Sequence, residues 1–437
     1  MRISKLPNDD HSCGWYQSLP PPEPARRLEG DQNADWVVLG AGFAGLAAAR
    51  QLATLQPQAR VVLIEAQRVG YGASGRNSGF IIDLPHNIDS ADIENIELNQ
   101  RVMRLNHAAI AYIQEIVQTH GIACDWGKRG KFQAAVGDRG MLFLEAFKRG
   151  LDALGVNYEL RETEALARTL GMTYYRAAVY TPDCILMQPA ALVRGLAATL
   201  PENVDLLEES PVEAVHYGSQ IRLECPEGKV VTKNLVLATN AFTESFGFLR
   251  GRLIPVLAFA SLTRPLRDDE QTALGGEADW GLTPADHMGT TLRRTRDNRI
   301  LVRNTFRFTA DLSSTEGERR RMRENHEVAL RARFPMLPDV NFEYTWGGIV
   351  CFSRNFAPFF GRLAANVFAA VCQNAVGAAK GTISGKLVAD LAVGADSELL
   401  SDMQAFPHPI RNPPRPLLAM GVTMKINWDQ WRAGTER

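Results

Sequence analysis

A chain of 437 residues with 45% hydrophobic and 22% charged side chains has an ordinary globular composition, long enough for two or three domains with full cores. Its formal net charge of -1 excludes a long-range electrostatic pull toward nucleic acid or anionic lipid. Six cysteines (Cys13, Cys124, Cys184, Cys225, Cys351, Cys372) form no C-x-x-C pair and meet no histidine at metal spacing, so neither a metal site nor a redox dithiol is expected. Residues 1–30 hold Asp9, Asp10 and several prolines but no apolar segment, and no later stretch reaches about 18 uninterrupted apolar residues. A cytoplasmic protein with reduced thiols, no signal peptide and no transmembrane segment is the expectation.

Residues 1–34, with LPPPEP from Leu19, read as an extended arm leading into the first strand. Trp36, Val37, Val38 and Leu39 then form a short apolar run, as in a strand buried on both faces of a parallel sheet. Gly40, Gly42 and Gly45 follow at G-x-G-x-x-G spacing: the first permits a tight turn, the second lets a pyrophosphate approach the backbone, and the third lets helix pack on strand. The helix opening at Phe43 and Ala44 aims free N–H groups and a positive dipole end at the phosphates. Val61–Ile64 is the next strand, and Glu65, followed by Ala66, stands at its carboxyl end to accept hydrogen bonds from a ribose. Strand, glycine turn, helix, strand and acid in that order point to a dinucleotide.

The loop GYGASGRNSG, residues 70–79, is too rich in glycine and small polar residues for a helix or strand. Its N–H groups, with Ser74, Arg76 and Asn77, suit phosphate or a ring edge, although a surface ion pair also accounts for Arg76. Apolar residues at spacings of three and four predict a helix over 93–120, with Gly121 as a C-cap. A strand near 130–136, a helix over 138–154 and a helix from Pro189 to residue 200 come next. Short strands are expected over 205–215, 220–225 and 229–232. They end in NLVLATNAF, whose Ala238, Thr239 and Asn240 lie at a strand's carboxyl end, where parallel sheets bind ligands. Residues 251–310 alternate as an antiparallel sheet, and 313–334 as a charged amphipathic helix. In the tail, strands over 345–371 lead into a glycine-rich helix start at 376–381. Two helix dipole ends, one from each end of the chain, would then converge on one ligand.

Together the N-terminal GAGFAGL with Glu65, the GASGRNSG loop, the middle LVLATNA and the tail WGG, GRL, GAAKGT and SGKLVAD resemble the D-amino-acid oxidase and glycine oxidase (DAO) superfamily, most of all its gamma-glutamylputrescine oxidase-like branch. The resemblance covers about residue 15 to the end. It implies an α/β fold: a Rossmann-like FAD-binding domain built from 35–90, 188–250 and 345–437, with an inserted, mostly antiparallel substrate domain built from 91–187 and 251–344. It further implies non-covalent FAD and oxidation of an amine or amino-acid C–N bond to an imine that water hydrolyses, with oxygen or a quinone or other electron-transfer partner as acceptor.

By matching position, Gly40, Gly42, Gly45 and Glu65 hold the ADP moiety. Ser74, Gly75, Arg76, Asn77, Ser78 and Gly79 lie along the pyrophosphate, ribityl chain and flavin. Asn374, Gly377, Ala378, Lys380, Gly381 and Thr382 lie at the pyrimidine edge of the ring, where Lys380 would stabilise charge on reduction. Val212 and Gly348 complete the cofactor set. The run from Cys372 to Val376 departs from the glycine, aromatic and S-G-H-G pattern of relatives, which leaves the substrate open. Among substrate-side candidates, Arg303 is the expected carboxylate partner, with Arg294 and Arg307 competing, Trp346 an apolar wall, and His86, His287 and Tyr344 possible helpers. The rival readings are an FAD-binding protein with a degenerate substrate site and an NAD(P)-linked dehydrogenase.

Overall fold

The structure, a computed structural model, describes residues 1–85 and 93–437. Its fold is α/β, built on two large sheets. The first runs in the order Ala214–His216, Ile221–Cys225, Gly228–Leu237, Gly30–Leu39, Val61–Ile64, Val204–Leu207. Its centre is parallel, and Val367–Val371 lies parallel to the carboxyl end of Gly228–Leu237. Every residue of Val61–Ile64 and of Val367–Val371 is buried, which is why these runs are continuously apolar.

On one face of this sheet the helices Phe43–Leu55 and Gly377–Val393 pack against each other closely enough that a Cβ on Gly385 would sit 2.0 Å from the Ala44 carbonyl oxygen. Both helices therefore start at the same edge of the sheet.

The second sheet runs Phe342–Phe352, Ile254–Thr263, Ile300–Phe308, Thr291–Arg294, Trp280–Pro284, Lys131–Ala135, Ala177–Thr181, Glu159–Glu162. It is antiparallel except where Trp280–Pro284 meets Lys131–Ala135. One face, with Phe132, Leu282, Leu292 and Val302, is closed by Ala329 and Leu330 of the helix Glu316–Arg333. That helix begins with a capping box between Thr315 and Glu318. The opposite face carries Gln133, Thr283, Thr291 and Arg303.

The helices Ile93–His120 and Asp138–Leu154 have the bounds that their periodicity predicts. Other elements differ from expectation. Ala73–Arg76 forms a single helical turn inside the glycine-rich loop. Residues 205–215 hold two strands rather than one, because Glu209 adopts φ 49° and Pro211 cannot donate to a ladder. The pieces expected at 229–232 and 234–237 are one strand, Gly228–Leu237. The N-terminal arm is docked: Ile3 donates to the Glu213 carbonyl (2.8 Å), Gly14–Gln17 is a helical turn, and the first strand begins at Gly30. Among the described residues, no helix is long and apolar enough to cross a membrane.

Candidate functional site: a cavity between the two sheets

A cavity of about 1140 Å³ opens at the carboxyl end of the parallel sheet and extends over the free face of the second sheet. At its first end, Gly40 holds φ 100°, open to glycine at little cost, and a Cβ there would lie 2.8 Å from the Ala238 carbonyl oxygen. A Cβ on Gly45 would lie 1.7 Å from the Gly40 carbonyl oxygen, so the third glycine is needed for the helix to reach the strand. The helix starting at Phe43 takes no side-chain cap from Gly42, and its Phe43 N–H donates to Ser74 Oγ at 3.0 Å. Glu65 accepts from the N–H groups of Ala41 (2.8 Å) and Gln67 (3.1 Å), while burial raises its pKa against those bonds.

Gly40, Gly42, Phe43 and Ala44 line this end with Glu65 and Ala66. Ser74, Arg76, Asn77 and Ser78 line it from the loop, and Val212, Ala238, Thr239 and Asn240 from the facing strand ends. From the tail come Asn374, Gly377, Ala378 and Gly381. The helix start at Gly377 takes no side-chain cap from Val376.

Several expected residues do not line the cavity. Gly45 and Gly75 are tight-packing positions; a Cβ on Gly75 would sit 2.0 Å from the Gly70 carbonyl oxygen. Gly79 is pressed against Arg293, whose Nη1 donates to the Gly79 carbonyl at 3.1 Å. Gly348 backs onto Arg76, and Thr382 donates to the Ala378 carbonyl within its own helix (2.7 Å). Lys380 falls on the flank of its helix beside Gly377, Ala378 and Gly381, and burial lowers its pKa to about 8. Trp346 forms no wall: it is fully buried, donates from Nε1 to the Arg76 carbonyl (3.0 Å) and stacks edge-on against Trp15. His86 lies outside the described residues.

Arg76 lines the cavity, but its guanidinium is taken up by protein. It donates to the carbonyls of Tyr71 (2.7 Å) and Gly347 (2.8 Å) and pairs with Asp9 and Asp10. The pattern is a buried ion pair rather than a phosphate clamp. The acids come from the arm, whose Lys5, Leu6, Pro7 and Asn8 also line the cavity.

On the substrate side, Arg303 lines the cavity, its Nη1 shielded from solvent and without a hydrogen-bond partner among the described residues. Burial lowers its pKa to about 10. The competing arginines are occupied elsewhere: Arg294 donates to the Gly275 carbonyl (2.8 Å), and Arg307 pairs with Glu318 (3.0 Å). His287 lines the cavity beside Phe143, whereas Tyr344 packs against Gly14. Sequence reasoning missed Lys131, Gln133 and Thr283 on the cavity floor, and Leu418, Val422 and Ile426 of the helix Arg415–Ala433 at its mouth. Only the alternation of Lys131 and Gln133 with buried Phe132 marks that strand, and a lysine in such a pattern reads as solvent-facing.

A glycine cradle with no room for a Cβ, an acid at the second strand end and two helix starts on one cavity suit a dinucleotide with an anionic far end. The family model for FAD dependent oxidoreductases, DAO, matches residues 35–391. The chain belongs to the DAO family of FAD-dependent oxidoreductases. It is therefore an enzyme, and FAD is its cofactor. Across 84% of the chain and 85% of the relative it is 29% identical to a probable oxidoreductase, OrdL, of Haemophilus influenzae. It is 26% identical to gamma-glutamylputrescine oxidoreductase of Escherichia coli over 91% of the chain and 93% of that protein. Among solved structures, glycine oxidase from Geobacillus kaustophilus superposes with a TM-score of 0.70 at 18% identity, covering 88% of this chain and all of that one. At that identity the superposition shows a shared fold.

Proposed function

We propose that the enzyme oxidises a C–N bond of a carboxylate-bearing amine or amino acid to an imine, which water then hydrolyses, using non-covalently held FAD. The observation that carries this reading is Arg303: a cation in the cavity with a shielded donor that has neither a hydrogen-bond partner nor an ion-paired acid among the described residues. A buried donor of that kind costs stability unless a ligand completes it, and a planar guanidinium matches a carboxylate. The relative that acts on gamma-glutamylputrescine supports an amine as donor.

When bound, FAD would supply the acceptor for the hydride that leaves the substrate carbon. The chain's residues bind and orient. Gly40, Gly42 and Glu65 would hold the ADP half, and the helix starting at Gly377 would set its N–H groups against the pyrimidine edge. Arg303 would fix the carboxylate, so that the C–N bond is presented in one orientation. The substrate must enter or become a neutral amine, which an apolar lining such as Phe143, Phe147 and Phe306 favours by disfavouring the ammonium form. We assign segments 35–90, 188–250 and 345–437 to cofactor binding, and 91–187 and 251–344 to substrate binding. The test is anaerobic mixing of the yellow enzyme with a panel of amines with and without a carboxylate. Bleaching by carboxylated amines is expected, and bleaching only by amines lacking a carboxylate would overturn the reading.

A further inference from the structure

The register of the second sheet draws a polar row across the cavity floor. Arg303 faces Thr291 on the neighbouring strand. Thr283 stands beside Thr291 through the adjoining Leu282–Leu292 pair, and Gln133 faces Thr283. Lys131, two residues from Gln133, shares its face. All five line the cavity. Their neighbours along the strands, Phe132, Leu282, Leu292 and Val302, are buried in the core on the opposite face.

The far end of this row is built for a ligand group. Lys131 is 3% exposed, lies over the Phe147 ring at 5.0 Å, and donates to Gln133 Oε1 at 2.8 Å. Thr283 Oγ1 donates to the same oxygen at 3.0 Å. Of the three ammonium protons, one is thereby placed, and no carboxylate lies within ion-pair distance of Lys131 among the described residues. Midway, Thr291 is 1% exposed and its Oγ1 has no partner among the described residues. The acids that do line the cavity are engaged: Asp286 with Arg139 (2.6 Å), Asp10 with Arg76 (3.0 Å), Asp429 with Lys425 (2.7 Å), and Glu65 with backbone N–H groups. Among the described residues neither Arg303 nor Lys131, one at each end of the row, has a carboxylate within ion-pair distance, and the buried Asp83 acts on Lys131 only from farther away. Three strand spacings and a two-residue step separate their Cα atoms by about 16 Å. Cations buried this way call for anionic partners.

We propose that the cavity takes an amine bearing a carboxylate at each end of an aliphatic spacer, one carboxylate on Arg303 and the other on Lys131. This rests on Arg303 holding a substrate carboxylate, as proposed above. Thr291 would offer its hydroxyl to the polar middle of the ligand, and Phe143 and Phe147 an apolar cover for its methylenes. Lys131 acts here as a specificity-determining residue.

The experiment is calorimetric titration of the FAD-loaded enzyme with adipate and with hexanoate, unreactive acids of equal length that differ by one carboxylate. Adipate is expected to bind at least tenfold more tightly. Lys131→Met should reduce that preference to less than threefold by weakening adipate alone, whereas Arg303→Met should weaken both acids. Lys131→Gln, which keeps a donor, serves if the methionine variant does not fold. Equal affinities in the unaltered enzyme, or an intact preference in the folded Lys131 variant, would overturn the proposal. Amine oxidation is tested separately: an adipate preference that depends on Lys131, in an enzyme that no amine bleaches, would uphold this site and remove the proposed function.

Discussion

Asp10 holds Arg76. Its Oδ1 lies 3.0 Å from Arg76 Nη2, and its Oδ2 lies 2.8 Å from Arg319 Nη1, so one acid of the N-terminal arm ties the glycine-rich loop to the helix Glu316–Arg333. Burial pushes the Asp10 pKa up, but Arg76, Ser12 and Arg319 outweigh it and hold the carboxyl at about 2, against 3.8 unperturbed. A depressed folded pKa contributes stability that is fully present above about pH 4 and lost as pH falls toward 2. The shift corresponds to about 2 kcal/mol. Asp10→Asn should therefore loosen the arm at neutral pH as acid does in the parent. Hydrogen exchange of residues 5–12 is expected to rise at least tenfold in the variant, with faster release of FAD from the cavity that the arm lines. Unchanged protection would show that the arm is held by its other contacts.

At Arg303 stability and function oppose each other. An arginine whose Nη1 is shielded and unpartnered destabilises the substrate-free protein, while a carboxylate ligand would satisfy it. Arg303→Met should leave the melting temperature unchanged or raise it, keep FAD bound, and slow anaerobic bleaching by a carboxylated amine at least 100-fold, about 3 kcal/mol. A variant that melts lower and reduces at the parent's rate would make Arg303 a structural residue.

The charge on Lys380 costs stability in a pH-dependent way. It flanks the face of its helix that lines the cavity, has no ion-pair partner among the described residues, and burial lowers its pKa from 10.5 to about 8. For a cation with a depressed folded pKa, the cost of carrying the charge is full below about pH 8 and fades as pH rises toward 10.5. Lys380→Met should stabilise the enzyme at pH 7 and do so less at pH 10. A stability difference independent of pH would show that the ammonium is solvated, and a large loss of reduction rate would restore a direct electrostatic role in the chemistry.

These residues also show what can be read from a sequence and what cannot. Gly40, Gly42 and Glu65 were legible because a glycine turn between an apolar strand and a helix is local, and its neighbours dictate its chemistry. The strand Val367–Val371 and the helix Asp138–Leu154 were legible for the same reason, each carrying its own period. Arg76 was only half legible: its loop was found, but its partners Asp9 and Asp10 are more than sixty residues away, and nothing local distinguishes a phosphate from a carboxylate. Trp346 was placed in the site by its motif, although Trp15 and the Arg76 carbonyl bury it behind the cavity wall. Lys131 was missed because its importance comes from sheet register, which joins it through Gln133 and Thr283 to a strand more than 150 residues later.

Cys372 has φ 63°, Asn374 φ 50° and Ala375 φ 71°, three residues with side chains in left-handed conformations just before the helix that starts at Gly377. Asn374 tolerates this conformation because its side chain is locked, accepting from the Ser353 N–H (3.0 Å) and donating to the carbonyls of Phe356 and Cys372 (both 3.0 Å). Ala375 has no such compensation and is exposed, so its methyl adds strain of about 1 kcal/mol and no core packing. Ala375→Gly removes the strain and returns part of the gain through the greater freedom of the unfolded chain, for a net stabilisation of about 0.5 kcal/mol. Ala375→Val, β-branched at positive φ, should destabilise by more than 1 kcal/mol. Urea midpoints of the two variants are expected to move in opposite directions. If both fall, the left-handed conformation at Ala375 is not a source of strain, and the segment is held by contacts that the alanine methyl makes.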